Sequence, residues 1–500
     1  MQILKSNKAQ YEYDIHSLVK AFYPAWELKI LTPESVVKDR RILEIPPVME
    51  LVFDETEVRF IIYGNAAVTL TEMEKKPDRD KPHVYIWHDT DRVDIAEYKD
   101  TFKRFLYVSL REETGLSLPW GNLTGIRPTK IAMTMLESGE SEQSIESFLR
   151  EKHFVSEEKI ALGIDIAKRE YGILSRLHYE NGYSLYIGIP FCPTTCLYCS
   201  FTSFPISLWK ERVADYLTAL EQEMEAVAQM YRDKILDTVY IGGGTPSSLS
   251  AEELNRLITK LKDIFDFSTV QEFTVEAGRA DSITEEKLQV LYRHGVTRIS
   301  VNPQTMKQET LRLIGRQHTV EQVEAAFALA RRVGFDNINM DIILGLPGET
   351  KDDVRATIEA IQALRPDSLT VHSLAVKRAS GLQKWIEENG ITAYNNTEET
   401  MKIAEAGARA MGMEPYYLYR QKNMSGNFEN VGYSVEGKYG IYNILIMEEK
   451  QSIVACGAGS ISKRVYPDGR IERNDNVKDV AQYIERIREM IERKRVLLED

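Results

Sequence analysis

Regular alternation of strand-like and helix-like segments between residues 184 and 374 is the feature that most constrains the fold of this chain. Six apolar, β-prone runs occur there, separated by stretches of helical periodicity. This alternation predicts a parallel sheet with right-handed helical crossovers. Six units are too few for a closed eight-stranded barrel. We therefore expect an α/β fold with an open (βα)6 barrel, and a doubly wound sheet is the competing arrangement. The predicted strands are 184–189, 237–243, 272–277, 298–302, 337–345 and 368–374.

The segments on either side of this region have a less regular pattern. Residues 48–64 have alternating apolar positions on both sides of a short polar turn, which predicts a hairpin. After about residue 395, a helix at 397–411 precedes two strand-like runs, PYYLYRQ (415–421) and YGIYNILIM (439–447). We therefore expect three domains, which are an N-terminal α+β accessory domain (1–175), the barrel (180–395) and a smaller C-terminal α+β substrate or cap domain (396–500).

Composition and charge exclude some classes of function. The hydrophobic fraction of 43% and the charged fraction of 28% are those of an ordinary soluble protein. The formal net charge of −13 argues against a general nucleic-acid-binding protein, which is normally basic. No apolar run is long enough for a transmembrane helix, and the N-terminus lacks a signal-peptide pattern. The expected location is the cytoplasm, where disulfides are rare.

Three of the four cysteines are clustered directly after the first predicted barrel strand. Cys192, Cys196 and Cys199 occur in IPFCPTTCLYCSF with a C-x3-C-x2-C spacing. Loops at the carboxyl ends of barrel strands carry the chemistry in such folds. A structural zinc site would need a distant fourth ligand such as Cys456 or a histidine. A cubane iron–sulfur cluster takes one thiolate per iron, so three thiolates would leave one iron open to a small molecule. Outside a metal site, Cys456 is expected to be a buried apolar residue.

Glycine-rich and polar positions follow the other predicted strands. The motif GGGTPS (242–247) follows the second strand, where successive glycines let the backbone approach a ligand closely. A polar residue at a strand end more often makes a structural hydrogen bond, but convergence on one barrel mouth favours a site. The converging positions are Glu276, Gln304, Arg316 and Asp341.

The cysteine spacing, with aromatic Tyr198 before the last cysteine, resembles the signature of the radical S-adenosylmethionine (SAM) superfamily. The resemblance implies a [4Fe–4S] cluster whose open iron chelates the amino and carboxylate groups of SAM, and whose electron breaks the sulfonium C–S bond. Longer motifs extend the resemblance over roughly 180–465 to the oxygen-independent coproporphyrinogen III oxidase (dehydrogenase) family. The long variant of that family, with an extra N-terminal domain, is the form indicated by NLTGIRPTK (122–130). The other motifs are SLYIGIPFCPTTCLYCSF, YIGGGTPSSL, VNPQTMKQETLRLIGRQHT, MDIILGLPGET and GAGSIS.

The resemblance also implies roles for individual residues. Cys192, Cys196 and Cys199 would ligate the cluster, and Gly457 and Ala458 would approach a second SAM or the substrate. The residues that would contact SAM or line its site are Tyr186, Tyr198, Gly243, Gly244, Thr245, Glu276, Gln304, Arg316 and Asp341, with Asp341 at the ribose.

The chain departs from both well-known branches of this family. Phe201 stands where the dehydrogenases have a further cysteine, and phenylalanine there is typical of the related haem chaperones. Those chaperones carry an H-N-x-x-Y-W motif, of which ENVGYS (429–434) retains only Asn430 and Tyr433. His372 on the sixth strand could face the site, and Arg127 and Lys130 could pair with the carboxylates of a propionate-rich substrate. Structural roles or solvent exposure are the expectation for all three.

The resemblance implies an oxidoreductase of porphyrin and haem biosynthesis. The expected reaction is radical-mediated oxidative decarboxylation of coproporphyrinogen III to protoporphyrinogen IX, in which two propionates become vinyl groups. An external electron donor such as flavodoxin or ferredoxin is implied, together with an electron acceptor, but no nucleic acid and no membrane insertion. The alternatives are a haem-binding chaperone of the same family and a radical SAM enzyme that acts on another tetrapyrrole.

Overall fold

The computed structural model describes residues 1–24, 26–37, 39–63, 82–88, 95–199, 203–375, 381–389, 396–421 and 428–499. Contacts divide the chain into two compact units, Met1–Ile164 and Asp165–Asp500. The domain boundaries expected near residues 175–180 and 395–396 remain predictions. Within the described ranges, none of the helices has the length and apolar character that crossing a membrane requires.

The first unit contains a five-stranded sheet packed against two helices. The strands are β1 (Gln2–Ser6), β2 (Leu28–Leu31), β3 (Met49–Phe53), β4 (Glu57–Ile62) and β5 (His83–His88), in the order β2-β1-β3-β4-β5. The predicted hairpin is confirmed, because β3 and β4 pair antiparallel and bury alternate side chains. The core lies between this sheet and helices α1 (Glu12–Phe22) and α2 (Ile95–Thr114). The remaining helices are α3 (Lys130–Glu137), α4 (Glu142–His153) and α5 (Glu157–Leu174), the last of which ends in the second unit.

The second unit alternates strands and helices along most of its length. Its strands are β6 (Gly182–Ile189), β7 (Phe191–Cys192), β8 (Phe204–Pro205), β9 (Ile235–Gly243), β10 (Glu272–Gly278), β11 (Arg298–Val301), β12 (Ile338–Leu344), β13 (Ser368–Ser373), β14 (Glu414–Tyr419), β15 (Asn430–Ser434), β16 (Ser452–Cys456), β17 (Ile461–Val465) and β18 (Ile471–Asp475). Its helices are α6 (Val213–Met230), α7 (Ala251–Ile264), α8 (Glu285–Arg293), α9 (Gln308–Leu313), α10 (Val320–Val333), α11 (Lys351–Leu364), α12 (Gly381–Asn389), α13 (Glu398–Ala410), α14 (Ile441–Glu448), α15 (Val480–Glu485) and α16 (Ile487–Glu499).

The order of six strands decides between the two arrangements expected from the sequence. Strands β6, β9, β10, β11, β12 and β13 are all parallel and lie side by side in chain order. A doubly wound sheet reverses its order at a switch point, whereas barrel strands follow one another. The open (βα)6 arrangement is therefore confirmed. The described strands do not close a barrel, because β16 lies beside β6 at one end and β15 beside β13 at the other.

The crossover helices form where the sequence supplies both a cap and one apolar face. In α7, the Ser250 hydroxyl accepts from the backbone N–H of Glu253, and the Glu253 carboxylate accepts from the N–H of Ser250. Leu254, Leu257 and Leu261 are buried and lie on one face of the helix. Equivalent capping boxes begin α10, α11 and α13.

The C-terminal segment continues the same sheet and contains one departure from expectation. PYYLYRQ supplies β14, which pairs antiparallel with β15. YGIYNILIM was expected as a strand, and this prediction is wrong because the run forms helix α14. A short continuous apolar run does not distinguish a buried strand from a buried helix. Here the buried Glu272 carboxylate accepts from the backbone N–H groups of Ile441 and Tyr442, which stabilises the first turn of a helix.

Candidate active site

The cysteine loop follows β6 and is held in place by backbone hydrogen bonds. The Cys199 N–H donates to the Cys196 carbonyl at 3.2 Å, which forms a tight turn between the last two cysteines. Leu197 lies between them, and its N–H donates to the Ile314 carbonyl at 2.9 Å. The Leu197 carbonyl in turn accepts from the Leu382 N–H at 3.0 Å. All three cysteines of the loop are reduced, and their side chains are partly accessible.

The glycine-rich motif is bonded directly to the start of the cysteine loop. The N–H groups of Gly244 and Thr245 donate to the carbonyls of Ile189 and Phe191, both at 2.7 Å. A Cβ atom on Gly244 would lie 2.5 Å from the Phe191 oxygen, so only glycine permits this approach. The Thr245 Oγ1 lies 3.4 Å from the Cys192 Sγ. This part of the predicted site therefore positions the loop with its own backbone, and its contact with the methionine part of SAM remains a prediction.

Three tyrosine rings stack beside the same motif. The ring centroids of Tyr186 and Tyr240 are 6.1 Å apart, and those of Tyr240 and Tyr442 are 4.4 Å apart. The Tyr240 O–H donates to the Glu276 carboxylate. Burial, with a smaller contribution from the negative charge of Asp341, raises the pKa of Glu276 to about 7 against the opposing hydrogen bond from Tyr240. Tyr186 and Glu276 were predicted from the sequence, whereas Tyr240 and Tyr442 were not.

Asp341 and His372 form a second polar group at the sheet edge. The Asn339 Nδ2 donates to the Asp341 Oδ1 at 2.6 Å, and the His372 Nε2 lies 3.9 Å from the Asp341 Oδ2. Burial favours the neutral acid, but the bonds from His372 and Asn339 outweigh it and lower the pKa of Asp341. His372 thus contacts Asp341, and the Tyr419 hydroxyl oxygen lies 3.4 Å from its Nδ1, while its role remains a prediction.

A row of alternate residues along β11 and its extension presents polar atoms without partners. Buried atoms with no hydrogen bond within the described part of the chain include Arg298 Nε, Ser300 Oγ, Asn302 Oδ1 and Gln304 Oε1. Residues two apart in an extended strand point to the same side, so Arg298 and Ser300 share one side of β11. Gln304 also has a φ of +68°, which is uncommon for a residue other than glycine and often marks a functional site. Buried polar atoms are normally paired, so this row is suited to a polar ligand.

Arg316 links this row to the cysteine loop. It is 6% exposed, and its Nη2 donates to the Tyr198 hydroxyl oxygen at 3.0 Å while Nη1 donates to the Asn302 carbonyl. Burial raises the pKa of Tyr198, against the opposing charge of Arg316. Arg316 therefore joins Tyr198 of the cysteine loop to Asn302 of the β11 row, and the common SAM site remains a prediction.

Gly457 and Ala458 lie in a different environment, a buried polar network. The Gly457 N–H donates to the Glu223 carboxylate at 2.7 Å, and the Ala458 N–H donates to the Tyr216 hydroxyl at 3.2 Å. Glu223 also forms a fully buried ion pair with Lys494 at 2.6 Å. These two backbone N–H groups are thus used inside the protein. Their predicted approach to a second SAM or the substrate remains a prediction.

The other predicted residues have simpler positions. Cys456 is 0% exposed on β16, which confirms that it is a buried residue. Asn430 accepts from the Ser373 N–H at 2.7 Å, and Tyr433 is buried on β15. Phe201 lies outside the described residues. The two basic residues considered for substrate carboxylates, both in the first unit, are Arg127 and Lys130.

The donor set fits the cofactors that the cysteine motif implies. Three reduced cysteines share one short loop, and buried polar atoms without partners lie along β11, which is a donor set of the kind that an iron–sulfur cluster and a polar cofactor use. Among the residues described, no three His, Cys, Asp or Glu side chains converge where a single metal ion would sit. That finding does not bear on a cubane cluster, which takes each thiolate on a separate iron.

Fold and motif define the class of this protein: residues 186–361 match the radical SAM superfamily. Over 415 residues, 82% of this chain and 83% of the relative, the chain is 41% identical to the oxygen-independent coproporphyrinogen-III oxidase-like protein HemZ of Bacillus subtilis (strain 168). It is 33% identical to the Heme chaperone HemW of the same organism, over 61% of this chain and 76% of the relative. The chain belongs to the oxygen-independent coproporphyrinogen III oxidase family of radical SAM proteins.

A solved structure supports the fold. The coproporphyrinogen III oxidase HemN from Escherichia coli, a radical SAM enzyme, matches with a TM-score of 0.52 and 22% identity, over 64% of this chain and 72% of that chain. The cofactors of this class are a [4Fe–4S] cluster and SAM, and the cysteine-rich motif lies at Cys192, Cys196 and Cys199.

Proposed function

We propose that the protein catalyses oxidative decarboxylation of coproporphyrinogen III to protoporphyrinogen IX. The observation that carries this proposal is the 41% identity to the oxidase-like protein HemZ, which extends over 82% of the chain. Further support comes from an oxygen-independent coproporphyrinogen III oxidase of Salmonella typhimurium, 27% identical over 62% of this chain. The substrate is a cyclic tetrapyrrole, and two of its propionates become vinyl groups.

We assign the cluster to Cys192, Cys196 and Cys199, and SAM to the adjoining barrel mouth. When bound, this pair of cofactors would supply the radical chemistry that the removal of a hydrogen atom from the β-carbon of a propionate requires. The chain holds the cysteine loop through Gly244 and Thr245, which keeps the three thiols at one end of the sheet.

The β11 row and its neighbours would orient SAM within the barrel. The acceptor Gln304 Oε1 has no protein partner within the described chain, so it is free to receive a donor from the ligand. The Asp341 carboxylate, whose pKa is lowered, stays ionised at neutral pH and can accept from ribose hydroxyls. The buried Arg316 guanidinium presents positive charge toward ligand carboxylates. A flavodoxin or ferredoxin would supply electrons, and a separate acceptor would take the electron released on each loss of CO2.

A haem-binding chaperone is the second candidate, favoured by the 33% identity to HemW. It differs from the first in its observable outcome. A chaperone binds haem in a fixed ratio without converting a porphyrinogen, whereas the enzyme consumes SAM in proportion to product.

An anaerobic incubation separates these candidates. Reconstituted protein receives SAM, a strong reductant, an electron acceptor and coproporphyrinogen III, and mass spectrometry follows the porphyrins and 5′-deoxyadenosine together. We expect a divinyl product with matching 5′-deoxyadenosine, lost in Cys196→Ala and retained in the matched control Cys456→Ala. 5′-Deoxyadenosine without porphyrin change would indicate another substrate. Stoichiometric haem binding with neither product would support the chaperone and contradict the proposal.

A further inference from the structure

A buried arginine that the sequence motifs do not include contacts the central cysteine of the loop. Arg279 follows β10 and is 3% exposed. Its Nη1 donates to the Thr194 Oγ1 at 2.7 Å and to the Thr194 carbonyl at 3.0 Å. The same nitrogen lies 3.8 Å from the Cys196 Sγ, within reach of a hydrogen bond to sulfur. One guanidinium nitrogen thus contacts both the backbone and the thiol of the cysteine loop.

A carboxylate on the following turn fixes the orientation of this arginine. The Arg279 Nε and Nη2 donate to the two oxygens of Asp281 at 3.0 and 2.6 Å, which forms a bidentate pair. On the far side, the buried His318 Nδ1 lies 3.8 Å from the Asp281 Oδ1. Because the bidentate pair with Asp281 uses Nε and Nη2, Nη1 is the nitrogen that contacts the cysteine loop. The planar, always charged guanidinium is suited to such a fixed arrangement.

We propose that Arg279 is a positioning residue that anchors the cysteine loop and raises the reduction potential of the cluster through its contact with Cys196. This goes beyond the proposed function, because it holds for any substrate. Outer groups that donate to metal-ligating sulfurs orient the ligands and tune the metal, and hydrogen bonds to sulfur are among the determinants of iron–sulfur potentials.

The direction of the effect follows from the charges around Cys196. Reduction adds an electron to the cluster, so a neighbouring cation favours the reduced form. The groups that face this region are the cations Arg279 and Arg316, the anion Asp281 and, behind it, His318. Removal of the Arg279 charge should lower the potential. Removal of the Asp281 charge should raise it, because the charge of Arg279 is then less compensated.

Redox titration followed by electron paramagnetic resonance tests this with two variants of opposite expectation. For Arg279→Gln in the reconstituted full chain, we expect the equilibrium constant for one-electron reduction to fall about tenfold, which is a potential lower by about 59 mV. For Asp281→Asn we expect a higher potential. The matched control is Arg256→Gln, since Arg256 is bonded to Glu221 and Thr218 on the outer helices. If Arg279 were purely structural, both variants would lose the cluster to a similar extent, and their reduction potentials would not shift in opposite directions.

Each outcome bears on the proposal. Unchanged potentials in Arg279→Gln and Asp281→Asn, at full iron content, would overturn it. If circular dichroism shows that Arg279→Gln folds but the variant retains no cluster, the proposed anchoring role is supported. Arg279→Lys keeps the charge, so it should then bind some cluster, with a reduction potential near that of the wild type. If Arg279→Gln does not fold, the potential of Asp281→Asn decides, and the absence of an upward shift would contradict the proposal. None of these measurements depends on a porphyrin substrate, so they fail or succeed separately from the proposed reaction.

Discussion

Glu276 should reduce the stability of the protein at neutral pH, and its replacement by glutamine should restore that stability in a pH-dependent way. Burial raises the pKa of Glu276 from the usual value near 4.5 to about 7. The carboxyl group of the unfolded chain therefore loses its proton at lower pH than the folded one. This difference in pKa between the folded and unfolded states corresponds to at most about 3 kcal/mol of unfolding free energy.

The sign of the effect sets the expected pH profile. Below about pH 4.5 both states are protonated, and the contribution of this group to stability is fully present. The contribution is lost progressively as pH rises from about 4.5 to about 7, because the carboxyl of the unfolded chain ionises there while burial keeps the folded one protonated. Glutamine keeps the shape and can still accept from the Tyr240 hydroxyl, but it does not ionise. Glu276→Gln should thus be close to the wild type at pH 5 and more stable by up to about 3 kcal/mol at pH 8.

Pulse hydrogen–deuterium labelling in a urea series measures this difference in the unit that contains Glu276. Peptides from β9 and β10 report on that unit, and comparison at the same pH cancels the intrinsic pH dependence of exchange. The control is Glu324→Gln, which removes an exposed carboxylate on α10 and should show no such profile. A difference between Glu276→Gln and the wild type that stays constant from pH 5 to 8 would refute the reasoning.

Three further substitutions test the site and its supports. Cys196→Ala should abolish the iron–sulfur absorbance and remove the bound iron, which is about four atoms per chain for one cubane cluster. Cys456→Ala should keep both, and equal iron contents in the two variants would contradict the assignment of the cluster. Gly244→Ala places a Cβ 2.5 Å from a carbonyl oxygen of the cysteine loop, so reconstituted iron should fall and urea stability should drop; unchanged values would show that the close approach is not required. Lys494→Met leaves the Glu223 carboxylate buried without its cation and should cost about 3–5 kcal/mol by urea unfolding. The double variant with Glu223→Gln should recover part of the lost unfolding free energy. A loss below about 1 kcal/mol in Lys494→Met would show that the ion pair is not important for stability.

The barrel strands could be predicted because each carries its own signal. Strand β9, for example, is a compact apolar run followed by glycines, and the next helix begins with the Ser250 capping box. The glycines also predicted a close backbone approach, which the structure realises at Gly244. By contrast, the first turn of α14 is stabilised by Glu272, which is distant in sequence. The local sequence pattern of 439–447 does not indicate this contact.

The supporting charges of the site were not predictable for the same reason. Arg279 lies 83 residues from Cys196 in sequence, and its neighbours GRADS give a turn pattern without any sign of the cysteine loop. Glu223 and Lys494 lie on helices whose charge patterns indicate solvent exposure, yet both side chains are buried. Sequence patterns report which face of an element is apolar, whereas pairing of buried charges is decided by tertiary packing.

The count of 5′-deoxyadenosine per divinyl product, in one anaerobic time course with coproporphyrinogen III, tests the central claim most directly. One hydrogen atom is removed for each propionate, so we predict two molecules of 5′-deoxyadenosine for every protoporphyrinogen IX, with a monovinyl intermediate at one. Formation of 5′-deoxyadenosine with the porphyrinogen unchanged in mass would contradict the proposed reaction.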